Sequence, residues 1–165
     1  MLRVHCGTHL VCDAQRMTYI EIGDWPAMQN AAQAVRTAVF VQEQGIAPED
    51  EWDAEDATAL HAVLFDANGQ PLGNARLLQP TVNMAKVGRM AVLREVRGRG
   101  YGDRLLQALL LEAKRRGNKE VRLSAQRTAE GFYAAHGFSV VGEPFDEVGI
   151  PHVEMQLKLS VGSAF

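Results

Sequence analysis

KVGRMAVLREVRGRGYGDRLLQALLLEAKRR, residues 86–116, is the stretch around which the rest of the chain can be organised. Lys86 to Leu93 reads as a strand. Gly102 to Arg116 reads as a strongly amphipathic helix, with Leu105, Leu106, Leu109, Leu110 and Ala113 facing inward and Gly117 as its stop. Between them stands Arg97-Gly98-Arg99-Gly100-Tyr101-Gly102. Glycines without Cβ let the backbone curl closely around an anion, and the first free N–H groups of the helix, with its positive dipole end, point at it. A diphosphate fits such a turn. Taken alone, the same residues also suit a tight, solvated strand-to-helix turn. A Walker loop needs a lysine that is missing here, and a dinucleotide fingerprint counted from Gly98 meets Asp103 where its third glycine belongs.

Upstream, Thr18 to Ile22 alternates like a half-buried strand. Asp24 then caps a helix from Trp25 to about Gln44 that carries Met28, Ala31, Ala32, Val35, Val39 and Phe40 on one side and stops at Gly45 and Pro48. Six of the eight residues from Glu49 to Asp56 are acidic, which reads as a loop. Leu60 to Phe65 and Pro71 to Leu78 form a hairpin about Asn68-Gly69. Downstream of Gly117, Glu120 to Ser124 is a short buried strand and Thr128 to His136 a helix ended by Gly137. Phe138 to Val141 and His152 to Leu159 are further strands. The order predicts an α/β chain: a mixed sheet with helices packed against it.

The chain has 165 residues, 47% hydrophobic and 22% charged, which suits one domain. A net charge of −3 and a pI near 5.9 argue against broad capture of nucleic acid. No apolar run approaches the roughly 20 residues that span a bilayer, and no signal-peptide core is evident, so a cytoplasmic location is expected. His5, Cys6, His9 and Cys12 resemble a zinc cluster only superficially, because structural sites draw on two well-spaced ligand pairs around a knuckle. Residues 1–16 read instead as an extension with little structure before a domain of residues 17–165, and no metal is expected.

Arg97 to Gly102, placed between that strand and helix, resembles the Arg/Gln-x-x-Gly-x-Gly/Ala motif of the GNAT superfamily of N-acetyltransferases. Gln126-x-x-Ala129-x-x-Phe132-Tyr133-x-x-x-Gly137-Phe138 is similar to the family's second cofactor-side motif, with Gln126 one methylene longer than the usual asparagine. Arg36-Thr37-Ala38-Val39-Phe40-Val41-x-Glu43-Gln44, Asp53, His61 and Phe145-x-Glu147-x-Gly149-Ile150-Pro151-His152 look like the bacterial YjcF/ElaA-like branch. The resemblance spans Met17 to Leu159. It implies the acyl-CoA N-acyltransferase fold, a central twisted, mostly antiparallel sheet flanked by helices. It also implies acetyl-CoA as cosubstrate and an amine of a small molecule or peptide as acceptor. Dimers are common in the superfamily, so a homodimer is expected.

By the same resemblance, the fourth strand splays from the fifth and backbone groups of Met90, Ala91 and Val92 bind the pantetheine arm. Gly98, Gly100, Tyr101 and Gly102 hold the pyrophosphate through backbone N–H groups, with Arg97 and Arg99 at its rim. Gln126 and Phe132 lie on the cosubstrate side. Attack of an amine on a thioester creates an oxyanion and then a thiolate. The Val92 N–H is the candidate donor for the first, and Tyr133 protonates or hydrogen-bonds the second. Tyr133 also has a plain reading as a core aromatic beside Phe132.

The amine must lose a proton, since an alkylammonium has a pKa of about 10. His152 is the leading base, with Glu43, Glu147 and His61 as rivals and a water chain as a substitute. The acidic run suits attraction of a cationic acceptor, although such runs are often simply solvated. Trp52 within it predicts that part of the segment folds over the sheet as a wall of the acceptor pocket. Two further readings stay open: an acyl-CoA-binding sensor without turnover, and a nucleotide-binding regulator that would need the missing motifs.

Overall fold

The computed structural model describes residues 17–160, and the expectations for residues 1–16, the His/Cys cluster included, lie outside them. The strands are β1 (Thr18–Gly23), β2 (Leu60–Asp66), β3 (Pro71–Leu78), β4 (Met84–Val92), β5 (Glu120–Gln126), β6 (Ser139–Glu147) and β7 (Ile150–Lys158). They form one sheet in the order β1-β2-β3-β4-β5-β7-β6. Only β4 and β5 are parallel neighbours, as expected of strands joined by a helical crossover.

That crossover helix is α3 (Tyr101–Arg115). Its inward stripe, with Leu105, Leu106 and Leu109 fully buried, lies on the sheet face made by Ala62, Leu64, Ala75, Leu77, Val87, Val121 and Leu123. Burial of each leucine contributes roughly 1.5–3 kcal/mol. The helix sits close to the sheet because position 73 is glycine: a Cβ there would lie 2.8 Å from Leu105 Cδ1.

The opposite face is only half covered. Helix α1 (Trp25–Arg36), capped by the Asp24 carboxylate on the Ala27 N–H, packs Met28 and Ala32 on Val63 of β2. The single helix expected to about Gln44 changes pitch at Thr37. Thr37–Glu43 is π-helical, and a wider turn carries Val39 and Phe40 into a small core with Val35 and Ala91. Past α1, the face of β4, β5 and β7 is open.

The acidic segment is structured rather than a loop. Pro48 starts a short helix, α2 (Pro48–Glu51), instead of only closing the one before it, and Ala54–Ala57 makes a 3-10 turn capped by Asp53. The other helix, α4 (Glu130–Ala135), follows a 3-10 turn at Arg127–Ala129. Strand β6 runs on to Glu147 rather than ending at Val141, and β7 begins at Ile150 rather than His152, so the two are joined by a two-residue hairpin loop. No helix among the described residues is long and apolar enough to cross a membrane.

Candidate active site

Strand β4 pairs with β5 from Met84↔Glu120 to Val87↔Leu123 and then parts from it. The cause lies in β4 itself. Arg89 has φ +50°, and two intervals of β3, Asn74 to Arg76, face three intervals of β4, Ala91 to Gly88, which is a β-bulge at Arg89. The extra residue reverses the side-chain alternation. Val87 faces α3, but beyond the bulge it is Met90 and Val92 that pack toward α3 while Ala91 turns to the α1 face. Buried Asn74 secures the bulge by donating its Nδ2 hydrogen to Arg89 O at 3.0 Å.

Beyond the bulge the pairing with β3 resumes, and Leu93 N donates to Leu72 O. Antiparallel strands alternate bonded and non-bonded pairs, so Val92, opposite Gly73, turns its N–H and C=O away from β3 and into the gap. The Val92 carbonyl is taken by Arg97 Nε at 3.0 Å. Arg97 also grips Glu43 with both terminal nitrogens at 2.7 Å, and that hydrogen-bonded guanidinium holds the Glu43 carboxyl below its ordinary range. Glu43 is therefore a tether between the π-helical segment and the glycine turn, not an unoccupied base.

Gly98 and Gly100 have φ of +79° and +80°, a conformation that disfavours any side chain. Gly100 precedes α3 with no capping side chain, so the first N–H groups of the helix remain free. Arg99 is exposed beside them. Tyr101 contributes only backbone to this turn, because its side chain is buried in the core under α3. Gly102 lies on Phe132, whose ring edge would be 3.5 Å from a Cβ.

The gap opens into a cavity of about 510 Å³ on the half-covered face. Phe132 and Tyr133 of α4 line it from the gap side, with their rings edge to face at 5.1 Å. Tyr133 is nearly buried, which pushes its hydroxyl up to about 12. Gln126, at the end of β5, bonds reciprocally with Gln44 across the cavity, at 2.9 and 3.4 Å. Nothing local in the sequence links those two residues, which lie 82 apart.

The two histidines separate cleanly. His61 is fully buried, donates from Nε2 to Asp56 O at 2.9 Å and does not line the cavity; burial pushes its imidazole below the ordinary range. His152 lines the cavity. Its Nδ1 is 2.6 Å from Ile150 O, and since a carbonyl only accepts, Nδ1 carries a hydrogen, which in the neutral tautomer places the lone pair on Nε2. Glu147 Oε2 lies 3.5 Å from Nε2, and Phe145 stacks on the ring at 5.9 Å.

The acidic segment walls the cavity with Asp50, Glu51, Asp53 and Glu55, as its tryptophan suggested. Half of its formal charge, however, is balanced internally by three arginines. Fully buried Arg36 bonds Glu51 at 2.7 Å and both Asp56 oxygens, between the rings of Trp25 and Trp52. Arg76 bonds Asp53 and Asp56, and Arg89 bonds Asp53. Burial alone would raise Asp56, but Arg36 and Arg76 outweigh it and hold the carboxyl below its ordinary range. At Glu51 desolvation wins and the carboxyl is raised. Arg76 and Arg89 give no sequence signal of this role, since they are isolated arginines on strands whose partners are distant in the chain.

The sequence profile of the acetyltransferase (GNAT) domain matches residues 28–159. An uncharacterized N-acetyltransferase, YjcF, of Bacillus subtilis is 35% identical over 122 residues, 73% of this chain and 86% of that one. Among solved structures, an acyl-CoA N-acyltransferase from Pseudomonas aeruginosa is 30% identical with a TM-score of 0.76, over 85% of this chain and 99% of that one. ElaA of Escherichia coli is 28% identical with the same TM-score and coverage.

Proposed function

The chain belongs to the GNAT acetyltransferase family, and from that premise we propose that it transfers the acetyl group of acetyl-CoA to a primary amine of a small molecule or peptide. The observation that carries this reading is the parting of β4 from β5 beyond Val87 and Leu123. It leaves the Val92 N–H turned into a gap, two residues from Met90, which lines the cavity with Tyr133 and His152.

The residues present suit an acyl-CoA: a stretch of β4, Met90 to Val92, without a β5 partner, and a glycine turn with open space and free helix N–H groups for a diphosphate. When bound, acetyl-CoA supplies the activated acyl carbon. The Val92 N–H stabilises the carbonyl oxygen as it gains negative charge. Arg97 holds the end of β4 in register for this through the Val92 carbonyl, and Arg99 supplies the free cation. His152 takes the amine proton at Nε2, with the Glu147 carboxylate beside the imidazolium that results. Tyr133, with its hydroxyl at about 12, is too weak an acid to surrender its proton to a thiolate and instead donates a hydrogen bond to the sulfur.

The test is coenzyme A release from acetyl-CoA with a thiol reagent, against a panel of amines, with direct acetyl-CoA binding in parallel. Tyr133→Phe is expected to lower kcat roughly 10- to 100-fold while the Kd for acetyl-CoA stays within about threefold. Tight binding without release on any amine would favour a non-catalytic sensor. Absence of binding would end the acyl-CoA reading altogether.

A further inference from the structure

Two non-glycine residues among those described have positive φ, Arg89 and Val148, and both line the cavity. Arg89 is accounted for by the bulge, by Asn74 on its carbonyl, and by Glu51 and Asp53 on its guanidinium. Val148 has no such account. Glu147 pairs with Ile150 across a two-residue loop, Val148-Gly149, with φ of +46° and +77°. Two positive φ values in a two-residue hairpin mark the type I′ turn, which favours asparagine, aspartate or glycine at its first position. A valine there crowds its Cβ and both γ carbons against the backbone. It recovers little by packing, since it is 51% exposed and belongs to none of the hydrophobic clusters. Folding therefore selects against valine at this position. What valine does supply is an isopropyl group in the wall of the cavity, next to Glu147 and His152.

Resting on the transferase reading above, we propose that Val148 selects the acceptor: it is a rigidly presented apolar contact for the hydrocarbon body of an aliphatic amine whose nitrogen lies between His152 Nε2 and Glu147. Phe40, Ile46 and Met90 extend the apolar lining of the same cavity. On the facing acidic wall Glu51 and Asp53 are already engaged by Arg36, Arg76 and Arg89 and Glu55 lies 3.5 Å from Arg76, which leaves Asp50 as the one wall carboxylate, among the described residues, without an arginine partner.

The experiment compares wild type, Val148→Asn and Val148→Leu with n-pentylamine and ethanolamine as acceptors, alongside thermal unfolding and acetyl-CoA binding. Wild type is expected to favour pentylamine by roughly tenfold or more in kcat/KM. In Val148→Asn that preference shrinks to about threefold or less through KM for pentylamine, Val148→Leu retains it, and acetyl-CoA affinity stays within about twofold. Relief of the turn raises the Tm of Val148→Asn by roughly 3 °C. A Val148→Asn protein less stable than wild type, or one with an unaltered amine preference, would overturn this assignment alone. No coenzyme A release with any amine would overturn the transferase reading and this one with it.

Discussion

Burial pushes the Tyr133 hydroxyl up to about 12, above the value of about 10 for a tyrosine in water, and this has a consequence for stability as well as for catalysis. A group whose pKa is higher in the folded state contributes stability that is intact below its unfolded pKa and lost as pH rises through the folded one. The window is therefore pH 10 to about 12. Between pH 9.5 and 12, urea unfolding of wild type should lose about 2 to 3 kcal/mol more than that of Tyr133→Phe, whose ring cannot ionise. An equal loss in both proteins would mean that the hydroxyl is better hydrated than its burial implies. Tyr133 was legible in the sequence as a member of a motif, and so were Gly98 and Gly100. His152 ranks ahead of His61 there by its place at the start of the last strand, but the carbonyl that each ring meets and whether it faces the cavity can only be read from the structure.

Elements show a different balance. The stripe of leucines on α3 and the Asp24 cap of α1 follow from local periodicity and local hydrogen bonding, so they could be read directly. The π-helical segment from Thr37 and the bulge at Arg89 could not, since each meets partners far along the chain: Glu43, at the end of the segment, on Arg97, and Asn74 on the Arg89 carbonyl. The acidic segment is the clearest case. Six carboxylates in eight residues look like a solvated run until three arginines from α1, β3 and β4 are brought onto them. Arg36→Met removes one of those cations and leaves Glu51 and Asp56 buried with fewer partners. It should lower stability by about 3 to 5 kcal/mol, read as a shift in urea midpoint at unchanged slope. A shift below about 1 kcal/mol would show that the remaining arginines or water compensate.

The seven strands form one continuous sheet, and α3 covers one face across β2, β3 and β4 while α1 and the acidic segment cover part of the other. Trp25 and Trp52 both lie over Arg36, on the α1 face. If residues 17–160 unfold as one unit, tryptophan fluorescence, which reports that face, and far-ultraviolet circular dichroism, which reports the sheet and helices, should give coincident urea transitions. Separate midpoints would show that the α1 face detaches on its own.

The sequence by itself determined the order of the strands and main helices, the mixed sheet and the glycine turn, because periodicity, capping and positive-φ positions are properties of neighbouring residues, and its motifs carried the resemblance to the family. Only the tertiary structure decided where β4 leaves β5, which carboxylates of the acidic run meet arginines, that Glu43 is a tether, and that His61 is buried away from the cavity that His152 lines. Each of those depends on side chains and backbone groups dozens of residues apart meeting across the sheet, and local pattern carries no record of such meetings.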